Sequence, residues 1–585
     1  MRLPLTAGRS AATGDVAAGQ SRPDGAAAGS RAGAAARPGP GPRAAAALRR
    51  HWLISVLLLA GLVLRVLAMV AYRPALLYID SLKYIFGAWP GNDPLGYNVI
   101  LKILLVPGNL TVVTALQHLL GLAMAVTLYL VLLRRGVPRW LAALAAAPVL
   151  LDGYEIQIEQ NIMPNVWFEA CIVAGLALLL WRPRPGPRLI LAGGLVLGLS
   201  APLAQVGEIL IVPALAYVLI VAGGWRRKLI QGGLLCAAFL LPIVAFSAQQ
   251  YAANGHFSLA PASGNTIYGR LAASADCPAL HLPSYERAVC PSPALARRLG
   301  PDGLVHSPDS PDHRYVAPPG HTHAEAISDF NHRVETQQPL RVVWGVLRDS
   351  AKLFAVGRVT SPGDTPISRW QFQTSYPSYG TSIYLSPDHT IMLGLHYATS
   401  GGPEFTEPLP ASMGGRAVVD QPLARFLRGY QRGGGYTPGP LLALAAVAGL
   451  FGSLALGGLA IARRRAGPAR TGALAGRRAA QYQLALACLL VFGAAVAVLL
   501  ASDAFEFSWR YQLPALVTLP PAGALGIALA ISLLRRPGPA GTGGRTSPAG
   551  RLARPAGDAP ATPAGGGQTA AEDAQTAPAD GPGPA

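Results

Sequence analysis

Charged residues are scarce in this chain. They make up 13% of its 585 residues, whereas hydrophobic residues reach 51% and the mean hydropathy is +0.35. The charges gather between long apolar runs, as expected where a charge at the bilayer centre costs about 2.5 to 3.5 kcal/mol. This scarcity argues against a soluble protein of this size and indicates that lipid covers much of its surface.

Cysteines and familiar ligand-binding motifs are also few. The five cysteines show no zinc-ligand spacing from the histidines His313, His321 and His323, which argues against a structural zinc site. No Walker A sequence, dinucleotide fingerprint or serine-hydrolase elbow lies on a strand-to-helix turn. Basic residues outnumber acidic ones by 48 to 29. They are mostly Arg pairs at the ends of apolar runs, so we expect no nucleic-acid partner.

The two ends of the chain lack large apolar residues. Residues 1–48 and 537–585 are rich in Ala, Gly and Pro, and such segments cannot offset the entropy lost on ordering. We therefore expect two disordered cytoplasmic tails. A signal peptide is not expected, because the first apolar run begins near Trp52 and is long enough to span a membrane.

Long apolar runs dominate the rest of the sequence. A spanning helix needs about 20 mostly apolar residues, and we predict an all-α polytopic membrane protein with about ten transmembrane helices. The third run is short, and the 188–224 pair is open to being one long or re-entrant element. The predicted spans are 52–72, 111–133, 138–152, 163–181, 188–204, 208–224, 229–248, 439–462, 479–501 and 513–534.

The basic residues provide an independent check through the positive-inside rule. With both termini in the cytoplasm of a bacterial cell, the Arg and Lys clusters between spans fall on the cytoplasmic side of the plasma membrane. Residues 49–248 then hold spans 1 to 7, residues 249–438 form one outer domain, and residues 439–536 hold spans 8 to 10. The clusters are Arg49/Arg50, Arg134/Arg135, Arg182/Arg184, Arg226/Arg227/Lys228, Arg463/Arg464/Arg465 and Arg535/Arg536.

The outer domain has a mixed composition, and nine of the eleven histidines fall in it. Cys277 and Cys290 also lie there, and we expect them to form a disulfide because they face a non-cytoplasmic compartment. Apolar positions at helical spacing from Ser328 to Leu353, interrupted at Pro339, predict two packed helices. Residues 376–397 alternate aromatic and turn residues, a pattern that favours strands.

The first outer loop, residues 73–110, carries the sharpest local signal. Asp80 lies just beyond the first span, where a carboxylate is well placed to act on a lipid headgroup. A plainer interpretation is that Asp80 caps a short interfacial helix through Ser81 and Tyr84. The two roles do not exclude each other.

The second outer loop gathers three carboxylates, those of Asp152, Glu155 and Glu159. Such groups repel one another unless a cation or substrate relieves them, so Glu155 and Glu159 are candidate metal ligands; a solvated loop is an equally good interpretation. Glu169 and Arg65 lie within spans, where an ionisable residue indicates function. Arg65 can snorkel to the outer surface or pair with a carboxylate.

The last outer loop runs from Ser502 to Tyr511, and its Arg510 departs from the positive-inside pattern. An arginine beside Trp509 and Tyr511 can be an interfacial anchor. A guanidinium is also the preferred planar clamp for a phosphate. Both roles remain open for Arg510 from sequence.

Together these features resemble the GT-C class of membrane glycosyltransferases, which includes protein O-mannosyltransferases and lipid A aminoarabinose transferases. The resemblance covers roughly residues 52–534. It departs from protein mannosyltransferases in the first loop, where Asp80-Ser81 stands in place of an adjacent acidic pair. The residues that carry it are Tyr78-Ile79-Asp80-Ser81, the lead-in Asp93-Pro94-Leu95-Gly96-Tyr97, the acidic second loop, and Arg510-Tyr511-Gln512-Leu513-Pro514.

The resemblance implies transfer of a sugar from a polyprenyl-phosphate carrier to a glycan, lipid or protein acceptor on the outer face. Asp80 occupies the place of the catalytic base, and a divalent cation, Mg or Mn, near Glu155 or Glu159 would assist Arg510. The Arg-rich composition suggests an actinobacterial source, with decaprenyl-phosphate sugars as donors by analogy. The candidate substrate- and phosphate-binding residues are Arg510, Tyr511, Tyr84, Asp93, Tyr97 and Arg65.

Two other functions fit the same sequence. A multi-span transporter or lipid flippase would use Arg65 and Glu169 to line a pathway, although we find no second copy of the first seven spans. A non-catalytic cell-envelope scaffold would use the outer domain for binding and would not need the loop acids.

Overall fold

A computed structural model describes most of the chain between Arg49 and Arg535. The described residues are 49–86, 94, 96–106, 109–259, 264–375, 381–385, 391–395, 414, 418–465 and 473–535. The two predicted tails and Asp93 lie outside them. Every element below belongs to the compact unit that ends at Leu534.

The described elements are almost all helices. In chain order they are α1 (Trp52–Ala71), α2 (Ile79–Phe86), α3 (Gly96–Leu105), α4 (Leu110–Arg134), α5 (Arg139–Leu151), α6 (Gly153–Gln160), α7 (Asn165–Leu180), α8 (Pro187–Gly198), α9 (Ile211–Val221), α10 (Trp225–Asn254), α11 (Gly264–Ser274), α12 (Pro293–His306), α13 (Pro311–Arg314), α14 (His323–Gln337), α15 (Pro339–Ala351), α16 (Gln421–Arg432), α17 (Gly439–Arg465), α18 (Ala473–Asp503) and α19 (Pro514–Leu534).

Six helices in the described part are long and apolar enough to cross a membrane, namely α1, α4, α10, α17, α18 and α19 with its preceding turn. Helices α5 and α6 pass the same test only as a pair bent by 49°. Helices α7, α8 and α9 have 16, 12 and 11 residues, fewer than the 20 or so of a full span. The chain is therefore an all-α membrane protein, but the predicted count of about ten spans is not confirmed.

The outward surfaces of the long helices are apolar. Only 28% of the apolar window of α1 and 17% of that of α17 are buried within the protein. Large apolar side chains such as Leu59 and Leu444 point away from the core. An apolar exterior of this kind is stable only when lipid is the solvent.

Contacts between helix ends collect the loops into two groups. His51, before α1, hydrogen-bonds through Nδ1 to the Tyr129 hydroxyl near the end of α4 at 2.6 Å. Arg135 donates from Nε to the Leu180 carbonyl at 2.9 Å. These contacts define a basic end, made of residues 49–51, 134–139, 180–188 and 222–228. The opposite loop end contains the described residues among 72–109, 152–164, 199–210, 255–438 and 504–513.

Residues 255–438 form an inserted domain whose described part is mainly helical with its own apolar core around Tyr268 and Phe330. A disulfide joins Cys277 to Cys290, with the Cα atoms 6.0 Å apart. The predicted helix pair is present as α14 and α15, divided at Pro339. Antiparallel strands β2 (Thr381–Leu385) and β3 (Ile391–Leu395) lie within the stretch whose pattern favoured strands.

The end of the inserted domain is bound to the end of the first span. Strand β1 (Tyr72–Arg73) pairs antiparallel with β4 (Val418–Val419), and the Asp420 amide donates to the Ala71 carbonyl at 2.8 Å. Asp420 then caps α16 by accepting from the Leu423 amide. Because α16 packs on α1, the domain is held beside the loop that carries Asp80.

Candidate functional site

The acid of the first loop and the arginine of the last loop bind each other at the loop end. Arg510 Nη1 donates to Asp80 Oδ2 at 2.7 Å, across a sequence separation of 430 residues. Asp80 lies in the first turn of α2, where the helix dipole favours a carboxylate. The Tyr78 amide donates to the Ser81 hydroxyl at 2.8 Å. Ser81 is thus one side-chain acceptor at the start of α2.

Aromatic rings enclose the Arg510 guanidinium. Its central carbon lies 4.5 Å from the ring centroid of Tyr511, 5.1 Å from Trp370 and 5.6 Å from Tyr78. Nη2 also donates to the Tyr511 hydroxyl, and Arg510 is only 9% exposed. Its Nε has no hydrogen-bond partner among the described residues. Arg510 is thus held among aromatic rings, and its Nε–H remains as a buried donor for a further acceptor such as a phosphate oxygen.

Trp370 of the inserted domain covers this pair. Its ring packs on Tyr78 with centroids 4.7 Å apart. The neighbouring Arg369 donates from Nη1 to the Tyr78 hydroxyl at 3.3 Å. The inserted domain thus contributes directly to the surroundings of Asp80 and Arg510.

The second loop is bound to the same domain through Asp152. Arg358 donates to both Asp152 carboxylate oxygens, at 3.2 and 2.8 Å, and its guanidinium lies 4.4 Å from the Tyr154 ring centroid. The Trp509 indole donates to the Val359 carbonyl at 3.0 Å. The segment around Arg358 therefore links the second loop to the last loop.

The turn that carries Arg358 depends on a buried carboxylate. Lys352 Nζ lies 2.7 Å from Asp364 Oδ1, and the Ser361 amide donates to Oδ2 of the same group. Burial raises the pKa of the Asp364 carboxyl, and Lys352 opposes that rise. Lys352 also lies 4.4 Å from the Phe507 ring centroid, so the turn packs on the last loop.

The acidic second loop is not a solvated loop. Asp152, Glu155 and Glu159 are all buried, as is every residue of α6. Buried carboxylates are costly unless each has a partner. The interpretation of these acids as a solvated surface is therefore wrong.

Arg65 supplies the partner of Glu159 inside the helical bundle. Arg65 Nη2 lies 2.5 Å from Glu159 Oε1, and His118 Nδ1 lies 2.6 Å from Glu159 Oε2. His118 Nε2 lies 2.8 Å from Gln160 Oε1, and Arg65 also donates to the Val149 carbonyl. Arg65 therefore pairs with a carboxylate and does not snorkel to the surface.

The geometry gives no support to a cation held between Glu155 and Glu159. Both Glu159 oxygens are occupied by Arg65 and His118. The two Glu155 carboxylate oxygens are buried and have no hydrogen-bond partner among the described residues, so a single glutamate would remain to bind an ion. We therefore derive no catalytic step through a metal at these residues.

Another group of metal-ligating side chains links the inserted domain to the last loop. Ligand atoms of Asp302, His306 and Glu506 lie within 4.8 Å of one another. Asp302 and His306 are four residues apart, which places both on one face of α12. This spacing could have indicated the pair from the sequence. Exposed acidic groups of this kind are common without an ion.

The remaining predicted site residues lie in the core. The Tyr97 hydroxyl donates to Gln117 Oε1 at 2.6 Å, and the Tyr84 ring meets Tyr97 edge-on at 5.3 Å. Gln117 in turn donates to the carbonyls of Glu159 and Asn161. The structure thus brings Asp80, Arg510 and Tyr511 together, whereas Tyr84 and Tyr97 pack against each other and Asp93 is outside the described residues.

Sequence reasoning missed His118, Arg358 and Trp370. His118 lies in the middle of an apolar run, so its ionisable side chain was a usable signal. Arg358 and Trp370 lie far along the chain from the loops they contact. Nothing in their local sequence distinguishes them.

Gly121 of α4 lets the Arg65, Glu159 and His118 side chains meet. A Cβ there would lie 2.1 Å from Glu159 Oε1 and 2.7 Å from Arg65 Nη2. We expect Gly121→Ala to cost about 1 to 3 kcal/mol of stability through overpacking, seen as a lower Tm in detergent. Gly233→Ala in α10, where a Cβ meets nothing within 4 Å, is the matched control. An equal Tm for both variants would contradict this account.

Comparison of the sequence with protein-family models, with curated proteins and with solved structures finds no match.

Proposed function

We propose that this chain is a membrane glycosyltransferase that moves a sugar from a polyprenyl-phosphate carrier to an acceptor at the loop end. The observation that carries the proposal is the contact between Asp80 and Arg510. A carboxylate and a guanidinium from loops 430 residues apart meet at 2.7 Å. A base and a phosphate clamp are the two groups that this transfer requires.

Asp80 serves as the general base in this reaction. Its carboxylate accepts the proton of an acceptor hydroxyl as that oxygen forms a bond to the anomeric carbon of the sugar. The bond between the anomeric carbon and the carrier phosphate oxygen breaks, and its electron pair leaves with the polyprenyl phosphate. The negative charge that develops on the phosphate needs a fixed cation nearby.

Arg510 provides that cation. Its Nε, which has no hydrogen-bond partner within the described part of the chain, and the planar form of the guanidinium suit a phosphate. Donor binding would share Arg510 between the phosphate and Asp80, and the Asp80 carboxylate would face the acceptor. The rings of Tyr511 and Trp370 keep the guanidinium in place during this exchange.

The loop end faces the outside of the cytoplasmic membrane in this proposal, with both termini in the cytoplasm. Arginines gathered at the basic end support it through the positive-inside rule. The Cys277–Cys290 disulfide in the inserted domain also supports it, because disulfides persist in oxidising compartments.

Arg510→Lys tests the phosphate role while keeping the positive charge. Lysine cannot reproduce the planar set of donors, so we expect kcat/KM for the lipid donor to fall about 10²- to 10³-fold, with acceptor KM nearly unchanged. The measurement is a donor screen. Membranes bearing the parent or the variant are incubated with labelled polyprenyl-phosphate sugars, and the product is followed by mass.

Arg298→Lys is the matched control, since Arg298 is exposed and binds Asp309 on the domain surface. It should leave transfer unchanged. Donor kinetics for Arg510→Lys that equal those of the parent would remove Arg510 from the phosphate site.

A second candidate function, transport, is favoured by the buried ionisable groups of the bundle. Arg65, His118 and Glu159 form one network, and the buried Glu155 and Glu169 carboxylates have no hydrogen-bond partner among the described residues. Residues of this kind also line transport pathways. The same donor screen separates the two functions, because a transporter moves its substrate without forming a new glycosidic bond.

A further inference from the structure

Helix α15 presents an apolar face to its surroundings. Leu340, Val343, Trp344 and Leu347 are 81%, 52%, 68% and 45% exposed. Their spacing places them in one stripe along the helix. A stripe of this size at the surface of a folded domain indicates an interaction site.

The opposite face of α15 is fixed to the rest of the protein. Asp349 accepts from Arg270 Nη1 at 2.7 Å within the inserted domain. The Ser350 hydroxyl donates to Asp503 Oδ2 at 2.7 Å, and Asp503 is the last residue of the spanning helix α18. The orientation of the exposed stripe is therefore set by buried contacts.

The C-terminal end of α15 also reaches a second span. Ala355, just after α15, lies close to Gly439, the residue that begins the spanning helix α17. A Cβ added to Gly439 would lie only 2.0 Å from the carbonyl oxygen of Ala355. Because α18 ends and α17 begins at this point, α15 lies at the level where two spans leave the membrane.

The stripe has the composition of a membrane-surface helix. Trp344 belongs to the residue type enriched at the boundary between lipid and water. Arg341 and Arg348 flank the stripe and are exposed, as in helices that bind phosphate headgroups. The first turns of α17 continue the apolar surface with Leu441, Leu444 and Val447.

We propose that α15 lies in the lipid–water interface at the loop end, with Leu340, Val343, Trp344 and Leu347 inserted among the lipids of the same bilayer that the spans cross. The partner of this face is the membrane surface. The helix thereby fixes the inserted domain, and with it Trp370, at a constant height above the bilayer. This inference does not depend on sugar transfer.

Spin labels test the proposal on the full chain reconstituted in phosphatidylglycerol and phosphatidylethanolamine bilayers. Labels are placed at Leu340→Cys, Trp344→Cys and, as the matched control, Val316→Cys, in a background with Cys171→Ala and Cys236→Ala. Val316 is 85% exposed in the same domain but outside α15. We expect the labels at 340 and 344 to be more accessible to oxygen than to a water-soluble nickel complex. We also expect them to lie about 5 to 10 Å deep in the bilayer. The label at 316 should be accessible mainly to the nickel complex.

Two results would overturn the proposal. The first is a label at 344 that is as accessible to the nickel complex as the label at 316. Spin–spin broadening at 344 that disappears on dilution with unlabelled protein would overturn it in favour of a second copy of the chain on this face.

A milder variant provides a second measurement should Trp344→Cys fail to fold. Lipid brominated near the headgroup end of its acyl chains should quench the fluorescence of the parent more than that of Trp344→Phe. Equal fractional quenching in both proteins would show that Trp344 does not contact lipid.

Discussion

Asp80→Asn is expected to lower the rate of sugar transfer by about 10²- to 10⁴-fold, the usual contribution of a general base. The amide keeps the shape of the carboxylate and an oxygen that can accept from Arg510, but it cannot take the acceptor proton. Abundance in the membrane and Tm should stay near those of the parent. The measurement is product formation by purified parent and variant from the donor that the screen identifies.

Asp309→Asn is the matched control for this change. Asp309 is an exposed carboxylate that binds Arg298 and Arg314 on the inserted domain, so its amide variant should transfer sugar at the parental rate. Equal activity of the Asp80→Asn variant and the parent would refute the base assignment. Loss of activity in the control as well would point to a folding effect instead.

Arg65→Met is expected to lower stability by about 3 to 5 kcal/mol, because it leaves the buried Glu159 carboxylate without its guanidinium. Methionine fills most of the space but cannot donate to Glu159 or to the carbonyls of Val149 and Leu150. Thermal unfolding in detergent measures the effect. The surface variant Arg298→Met should change stability by at most about 1 kcal/mol.

The double variant Arg65→Met with Glu159→Gln should recover part of that loss, because it removes both charges of the buried pair. If the stability loss of the double variant equals the sum of the losses of the two single variants, Arg65 and Glu159 do not act together. Such a result would be incompatible with a 2.5 Å contact between their side chains.

Hydrophobic patterning predicted the helical membrane architecture, whereas its count of about ten spans is not confirmed by the six helices of the described part that are long and apolar enough to cross a membrane. The long runs near α1, α4 and α10 are full-length helices, since their apolar composition favours lipid throughout. The run at 138–152 ends where Asp152 caps a new helix at a 49° bend. Apolar composition indicated a loop after this run but not that residues 153–160 form a buried helix, whose burial depends on packing against distant segments.

The candidate site could be predicted only in part for a similar reason. Asp80 and Arg510 carried local signals, an acid just beyond a span and an arginine on the outer side, and each was identified separately. Their contact, and the closing of the site by Trp370, depend on how distant segments pack. The burial of Glu155 and the partners of Glu159 depend on the same packing, so the sequence left a metal and a solvated loop open.

The separation of Asp80 and Arg510 along the chain also has a consequence for biosynthesis. The ribosome makes Asp80 early, and 430 residues of further synthesis precede the arginine that binds it. Nascent chains that stop before the last span therefore hold a carboxylate with no guanidinium opposite. Catalytic competence would arise in a single late event, so prematurely terminated products in the membrane would be unable to consume the lipid-linked sugar.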